Sequence, residues 1–217
     1  MPSFRYPQTC AIARAAEVVG ERWMLLVLRE LALGPRRFTD LRERLSGVSA
    51  SVLTARLAHL REKNLIRRTT LPPPAASAVY ALTEEGRSLL PVLYALLRWG
   101  VRYLGAPEPD DKFEAEWLRL GLAAYARRSE SPACAIEIQV TNNGTAFHVV
   151  LSGGPDGTVV SEGSGPADLS LTVPSDALLG LVNGAVRPAD ALATGALRAE
   201  GNLELLDLLP QFFDMSP

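Results

Sequence analysis

The chain has 217 residues, 47% of them apolar, and a formal net charge of −2, which allows one large core or two small ones. No run approaches the roughly 20 apolar residues of a spanning helix, and residues 1–8 carry Arg5, two prolines and polar side chains where a secretory signal has an apolar core; no membrane partner is expected, and the expected location is cytoplasmic. Cys10 and Cys134 make no disulfide framework, and with only His59 and His148 beside them no metal site or cofactor is expected.

A helix is expected from Cys10 to about Val19, capped by Thr9 and closed by Gly20 in the left-handed conformation. A second, over residues 22–32, is apolar almost all the way round (Trp23, Met24, Leu25, Leu26, Val27, Leu28, Leu31) and belongs at the centre of a small bundle. Gly34 and Pro35 stop it. Residues 38–45 form a short helix with Phe38, Leu41 and Leu45 on one stripe. After the turn Ser46-Gly47-Val48, Ser49 caps a helix in which Leu53, Leu57 and Leu60 repeat at helical spacing. Ala50, Ser51, Thr54, Ala55 and Ala58 are left on a small, uncluttered face. Short helix, tight turn, capped helix is the helix-turn-helix pattern.

Residues 65–71 and 79–82 read as a hairpin with a proline-bearing tip, a wing. Thr83 caps a long last helix to about Leu104, with Leu89, Leu90, Leu93, Leu97 and Val101 in a stripe and a kink at Pro91. Such a stripe needs a partner, and a second copy of the chain is expected to supply it.

Gly105 to Asp111 replaces apolar periodicity with Pro, Gly and acid and is read as a linker over 105–112, between domains 1–104 and 113–217. The charge divides at the same place. Residues 1–104 hold 16 Lys/Arg against 8 Asp/Glu, net +8, and residues 105–217 hold 6 against 16, net −10. One half is suited to a polyanion and the other is not.

Reading double-stranded DNA needs an element that fits the major groove, with some side chains on base edges and others on phosphate. The helix led by Ser49 has Ser51, Thr54 and Arg56 as hydrogen-bonding groups. Arg36, Arg37, Arg42 and Arg44 precede it, and Arg61, Lys63, Arg67 and Arg68 follow it, placed to grip the backbone.

In the second domain a helix is expected over 113–128. Strands are expected around Ile136–Val140, Phe147–Leu151, Val159–Ser161, Leu169–Val173 and Leu197–Glu200, with short helices at 175–182 and 188–193 and a last helix over 203–213. The fold class is α+β: a winged helix-turn-helix head followed by an α+β sandwich, a mostly antiparallel sheet with helices on one face, its interior solid or hollow.

Residues 10–23 (CAIARAAEVVGERW), 28–31 (LREL), 34–41 (GPRRFTDL), 48–57 (VSASVLTARL), 80–86 (YALTEEG) and Leu90-Pro91 together resemble the HxlR-type winged-helix regulators across nearly all of residues 8–104. The resemblance implies a homodimer that packs its first and last helices together and binds an inverted-repeat operator through the helix led by Ser49. Cys10 falls where members of that family often carry a cysteine, in some a sensor of electrophiles or oxidants. A helix N-terminus lowers a thiol pKa, and the competing reading is an inert cysteine at the dimer seam. The tip between Pro72 and Ser77, with three prolines and no basic residue, departs from a strongly basic wing.

Residues 168–179 (DLSLTVPSDALL) and 190–201 (DALATGALRAEG), followed by a leucine-rich helix, look like the sterol carrier protein-like fold. That resemblance implies an apolar cavity between sheet and helices for a small hydrophobic ligand, with Trp117, Phe147, Val149, Leu179 and Phe212 as candidate lining; a filled, structural domain is the alternative. A ligand-sensing regulator is therefore expected, against a lipid carrier whose basic head mainly dimerises. Without Ser/His/Asp, Cys/His, phosphate-loop or metal-ligand spacing, no enzyme is expected.

Overall fold

The computed structural model describes residues 5–74, 76–105, 111–142 and 144–215, and forms two compact units, Met1–Leu93 and Tyr94–Pro217. The division falls within the helix that follows the wing. Most of the linker lies outside the described residues.

The first unit starts with α1 (Ala11–Val19), α2 (Met24–Ala32), α3 (Phe38–Arg44) and α4 (Ala50–Glu62). Cys10, not Thr9, is the N-cap of α1, and its side chain makes no capping bond. Gly20 is right-handed at φ −78°, and the left-handed residue is Trp23 at φ 78°, which sets the entry into α2. An added Cβ on Gly47 would lie 3.7 Å from the Trp23 ring, so the indole rests against the turn between α3 and α4. α2 is less enclosed than its composition suggests. Met24, Val27, Leu28 and Leu31 are buried while Leu25 and Leu26 are exposed, because the unit covers one side of the helix. Among the described residues, the one fully buried charge is Glu30.

The wing pairs β1 (Ile66–Thr70) with β2 (Ala78–Leu82) antiparallel, Ile66 opposite Leu82 and Thr70 opposite Ala78. The backbone of Arg36 adds a bridge, exchanging two hydrogen bonds of 2.8 and 2.9 Å with Tyr80. The last helix is interrupted at Ser88 and Leu89, just ahead of the kink expected at Pro91. α5 (Glu84–Arg87) ends at Ser88, and α6 (Leu90–Gly100) restarts with Pro91 in its first turn, where a missing N–H costs nothing. Thr83 caps α5, its Oγ1 accepting from Gly86 N at 3.0 Å. Gly86 is required there, since a Cβ would come 2.0 Å from the Leu65 carbonyl oxygen.

In the second unit, α7 (Trp117–Tyr125) is shorter than the helix expected over 113–128. A five-stranded sheet follows, in the order β5 (Val159–Glu162), β4 (Thr145–Ser152), β3 (Ala135–Asn142), β6 (Leu169–Pro174) and β7 (Arg198–Gly201). Only the β3–β6 pair is parallel; α8 (Ser175–Val182) and α9 (Pro188–Ala193) lie between β6 and β7 in the chain. Alternate residues of the central strands, among them Ile136, Ile138, Val140, Val149, Leu151, Leu169, Leu171 and Val173, share one core with Leu178, Leu181, Leu206, Leu209 and Phe212. The closing segment Leu203–Phe212 is a 3₁₀ helix with Pro210 inside it rather than the α-helix expected.

Candidate nucleic-acid interface

The site is built on α4. Ser49 Oγ accepts from Val52 N at 3.3 Å and starts the helix; Leu53, Leu57 and Leu60 then sink one side of it into the core. The opposite side exposes Ala50, Ser51, Thr54, Ala58 and Arg61, with Ala55 half-buried at its edge. Beside it runs a groove of about 560 Å³ lined by Ala58, Arg61, Glu62, Ile66, Arg67 and Arg68, which brings the C-terminal half of α4 against the first wing strand. Three arginines from the end of α4 and the first wing strand thus share one open, water-accessible surface. The first turn of α4 adds unsatisfied N–H groups, which favour an anion.

The other arginines of the head divide. Arg37 and Arg42 are exposed on α3 and its N-cap, with the Arg37 N–H donating to Asp40 Oδ2 at 3.0 Å. Arg36 is half-buried in the bridge to Tyr80. Arg44 turns inward, its Nε donating to Glu30 Oε2 at 2.6 Å, while Arg29 Nη2 meets Glu30 Oε1 at 2.7 Å. Burial pushes the Glu30 carboxyl up, but the Arg44 hydrogen bond and the charges of Arg29 and Arg44 outweigh it and hold the group below its usual value. This triad ties α3 to α2. Its sequence signal is the adjacent pair Arg29-Glu30 in a helix whose other residues are apolar.

Arg56 is also held within the unit. Its Nε donates to the Arg22 carbonyl at 3.1 Å and its Nη1 pairs with the Glu21 carboxylate, so it fastens α4 to the turn between α1 and α2. The structure therefore gathers Arg61, Arg67 and Arg68 at the C-terminal end of α4, pairs Ser49 with Ser51 at its start, leaves Thr54 exposed between them and holds Arg56 away on the other side.

Cys10 is exposed, and the backbone N–H groups of Ala13 and then Ile12 lower its thiol pKa. In the second unit, Val149 and Phe212 are fully buried in the core, Phe147 packs on its edge, Trp117 sits edge-on to Phe113, and Leu179 is 53% exposed on α8. A separate cleft of about 610 Å³ is lined by Arg127, Ser131, Pro132, Pro155, Leu208 and Gln211 among others, and by none of the five residues expected to line a cavity. On the polar face of the sheet, His148 Nδ1 lies 3.2 Å from both Glu137 Oε1 and Ser164 Oγ. A hydrolytic relay needs acid and nucleophile on opposite ring nitrogens, and here both meet the same one. Hydrogen bonds from Ser164, then His148, hold the Glu137 carboxyl below its usual value. Among the described residues, no cluster of three or more His, Cys, Asp or Glu side chains is placed to hold a metal ion, and no helix is long and apolar enough to cross a membrane.

The helix-turn-helix of known regulators accounts for this half of the molecule. Residues 18–108 match the family model of the HxlR-like helix-turn-helix. A regulator of Synechocystis sp., described as an uncharacterised HTH-type transcriptional regulator, is 36% identical over 103 residues, 48% of this chain and 76% of the relative. The chain belongs to the HxlR-like helix-turn-helix family. The HTH-type transcriptional regulator YodB of Bacillus subtilis is 31% identical over 45% of this chain and 84% of its own, and the solved reduced form of YodB superimposes with a TM-score of 0.39 at 27% identity, over 46% of this chain and 100% of the YodB chain. An HTH-type regulator of Mycobacterium tuberculosis is 42% identical over 98 residues, 45% of this chain. The chain spans 61% of that relative's length. Residues 118–214 match a second model, the SCP-2 sterol transfer family, so this HxlR-like head is followed by a sterol carrier-like unit.

Proposed function

We propose that the chain is a homodimeric transcriptional regulator that binds an inverted-repeat DNA operator, with α4 in the major groove and Arg61, Arg67 and Arg68 on phosphate. The observation that carries this reading is the exposed face of small residues on α4 beside a groove lined by three arginines, since a flat helix surface admits base edges while the flanking cations take the backbone. Dimerisation is supported by Leu96, Trp99 and Tyr103, which form an exposed apolar row on α6 and the turn after it; Trp99 is 54% exposed and packs against Tyr103 with ring centroids 4.8 Å apart. Of the stripe expected from sequence, Val101 is exposed as well, while Leu93 and Leu97 are half-buried. A two-fold copy would set two α4 helices about one DNA turn, ~34 Å, apart. Fluorescence anisotropy of the full chain on duplex DNA at a series of salt concentrations tests the reading: affinity falls steeply with salt, and binding that is absent or salt-independent rejects it.

For the second unit, the reading is reception of a small hydrophobic ligand, which the SCP-2 match supports together with the closing 3₁₀ helix, a segment of poorer hydrogen-bond geometry than an α-helix. Because Leu209 and Phe212 already fill the interior, a ligand enters by replacing their contacts. Native mass spectrometry and thermal shift with fatty acids, sterols and polycyclic aromatics test it; a panel without binding, and a chain lacking residues 112–217 with unchanged operator affinity, would overturn it.

A further inference from the structure

We infer that α4 selects its half-site through thymine methyl groups and not through guanine. The inference rests on the DNA-binding reading above. The commonest specific contact in the major groove is an arginine or lysine fork on guanine O6 and N7, and adenine is read by the amides of Asn or Gln. Residues 50–60 contain no Lys, Asn or Gln, and their long polar side chains are Arg56 and His59 alone. At 100° per residue, Arg56 stands about 160° around the helix from both Thr54 and Ala58. Its guanidinium is engaged by the Arg22 carbonyl and the Glu21 carboxylate, and His59 is half-buried. Arg61 shares the exposed side but lies about 15 Å along the axis from Ser51 and lines the groove with Arg67 and Arg68, where a phosphate belongs.

What remains for base edges is Ala50, Ser51, Thr54, Ala55 and Ala58. Thr54 donates its hydroxyl proton to the Ala50 carbonyl at 2.8 Å, so it offers a base an acceptor lone pair and a γ-methyl. Ser51 Oγ lies 3.1 Å from Ser49 Oγ, the cap of the helix. Methyl groups of Ala and Thr have one distinctive partner in the major groove, the C5-methyl of thymine. Small side chains also let the helix sit deep enough to reach it. Each half-site is therefore rich in A·T pairs at the steps beneath Thr54 and Ala58.

The test begins with selection of duplexes from a random pool by the full chain, followed by anisotropy on the selected duplex at fixed salt. Thymines are replaced one at a time by deoxyuridine, which keeps base pairing and removes the methyl. Replacement at a contacted thymine weakens binding about four-fold, the value of burying one methyl group. Thr54→Ser removes that sensitivity at one position, and Arg56→Ala weakens selected and random duplexes by the same factor. A selected site of guanines whose preference disappears in Arg56→Ala overturns the inference, as does a deoxyuridine duplex bound as tightly as the parent; in both cases DNA binding itself stands. A chain that binds no duplex at low salt overturns the DNA-binding reading and this inference with it.

Discussion

Arg44→Met removes one of the two cations that hold a fully buried carboxylate. Losing a partner of a buried ion pair costs about 3–5 kcal/mol when the remaining charge is left alone. Glu30 keeps both contacts from Arg29, at 3.0 and 2.7 Å, so the expected cost lies below that range, about 2–3 kcal/mol at pH 7. Arg42→Ala, two residues away and exposed, is expected to cost less than about 0.5 kcal/mol. Urea unfolding of the full chain, read by hydrogen exchange in peptides covering α2 and α3, reports the first unit separately from the second. The penalty also has a defined pH dependence. The folded Glu30 carboxyl titrates below its ordinary value of 4.5, so its contribution is complete above pH 4.5 and disappears as pH falls through the folded value. Once Glu30 is protonated it no longer needs a cation, and the gap between parent and variant narrows in acid. A gap under about 1 kcal/mol at pH 7, or one that widens in acid, refutes the assignment of Arg44 as a structural rather than a phosphate-binding arginine.

Arg61→Ala, Arg67→Ala and Arg68→Ala, tested singly by anisotropy, should each weaken all duplexes alike and reduce the slope of log affinity against log salt by about 1; an unchanged slope removes that residue from the phosphate groove. Leu96→Asp with Trp99→Asp places two charges on the exposed row of α6 and is expected to give a monomer at micromolar concentration by sedimentation equilibrium. A dimer unaffected by the pair locates the seam elsewhere. Gly86→Ala puts a Cβ 2.0 Å from the Leu65 carbonyl oxygen and should cost about 1–3 kcal/mol in the first unit through overpacking, read from the same hydrogen-exchange peptides; a neutral result would show that α5 moves freely against Leu65.

The fold was largely legible because its elements depend on patterns that survive averaging over details. Leu53, Leu57 and Leu60 mark the buried side of α4, and the alternation of Ile136, Ile138 and Val140 marks a strand with one face in the core. The cap at Ser49 and the cap at Thr83 both form as expected. Features set by tertiary contact were not legible. The kink expected at Pro91 falls instead at Ser88 and Leu89, and the close approach of Gly86 to the Leu65 backbone just before it joins residues twenty-one positions apart. The left-handed turn moved from Gly20 to Trp23 because the Trp23 indole covers Gly47 and Arg22 stacks over it at 5.1 Å; packing there outweighs the preference for glycine at positive φ.

The candidate site was legible as a location and less so as a division of labour. Composition shows sixteen cations in residues 1–104 but not which of them face solvent. Helical arithmetic alone separates Arg56 from Thr54, two positions apart and so on opposite sides of α4. It cannot show that Glu21 and the Arg22 carbonyl wait on that other side, because nothing in the order of residues joins the α1–α2 turn to α4. The pairs Arg14–Glu17, Arg56–Glu21 and Arg29–Glu30–Arg44 engage acids of α1, α2 and the turn between them. Arg37, Arg42, Arg61, Lys63, Arg67 and Arg68 are instead exposed along α3, α4 and β1, with Arg5, Arg22, Arg87, Arg98 and Arg102 exposed elsewhere in residues 1–104. On the DNA-binding reading proposed above, the exposed cations flanking a helix face of alanine, serine and threonine would supply long-range attraction, and discrimination between base pairs would be left to groups too small to supply it except by close contact. Salt should therefore act on affinity far more than on the ratio between matched and mismatched sites.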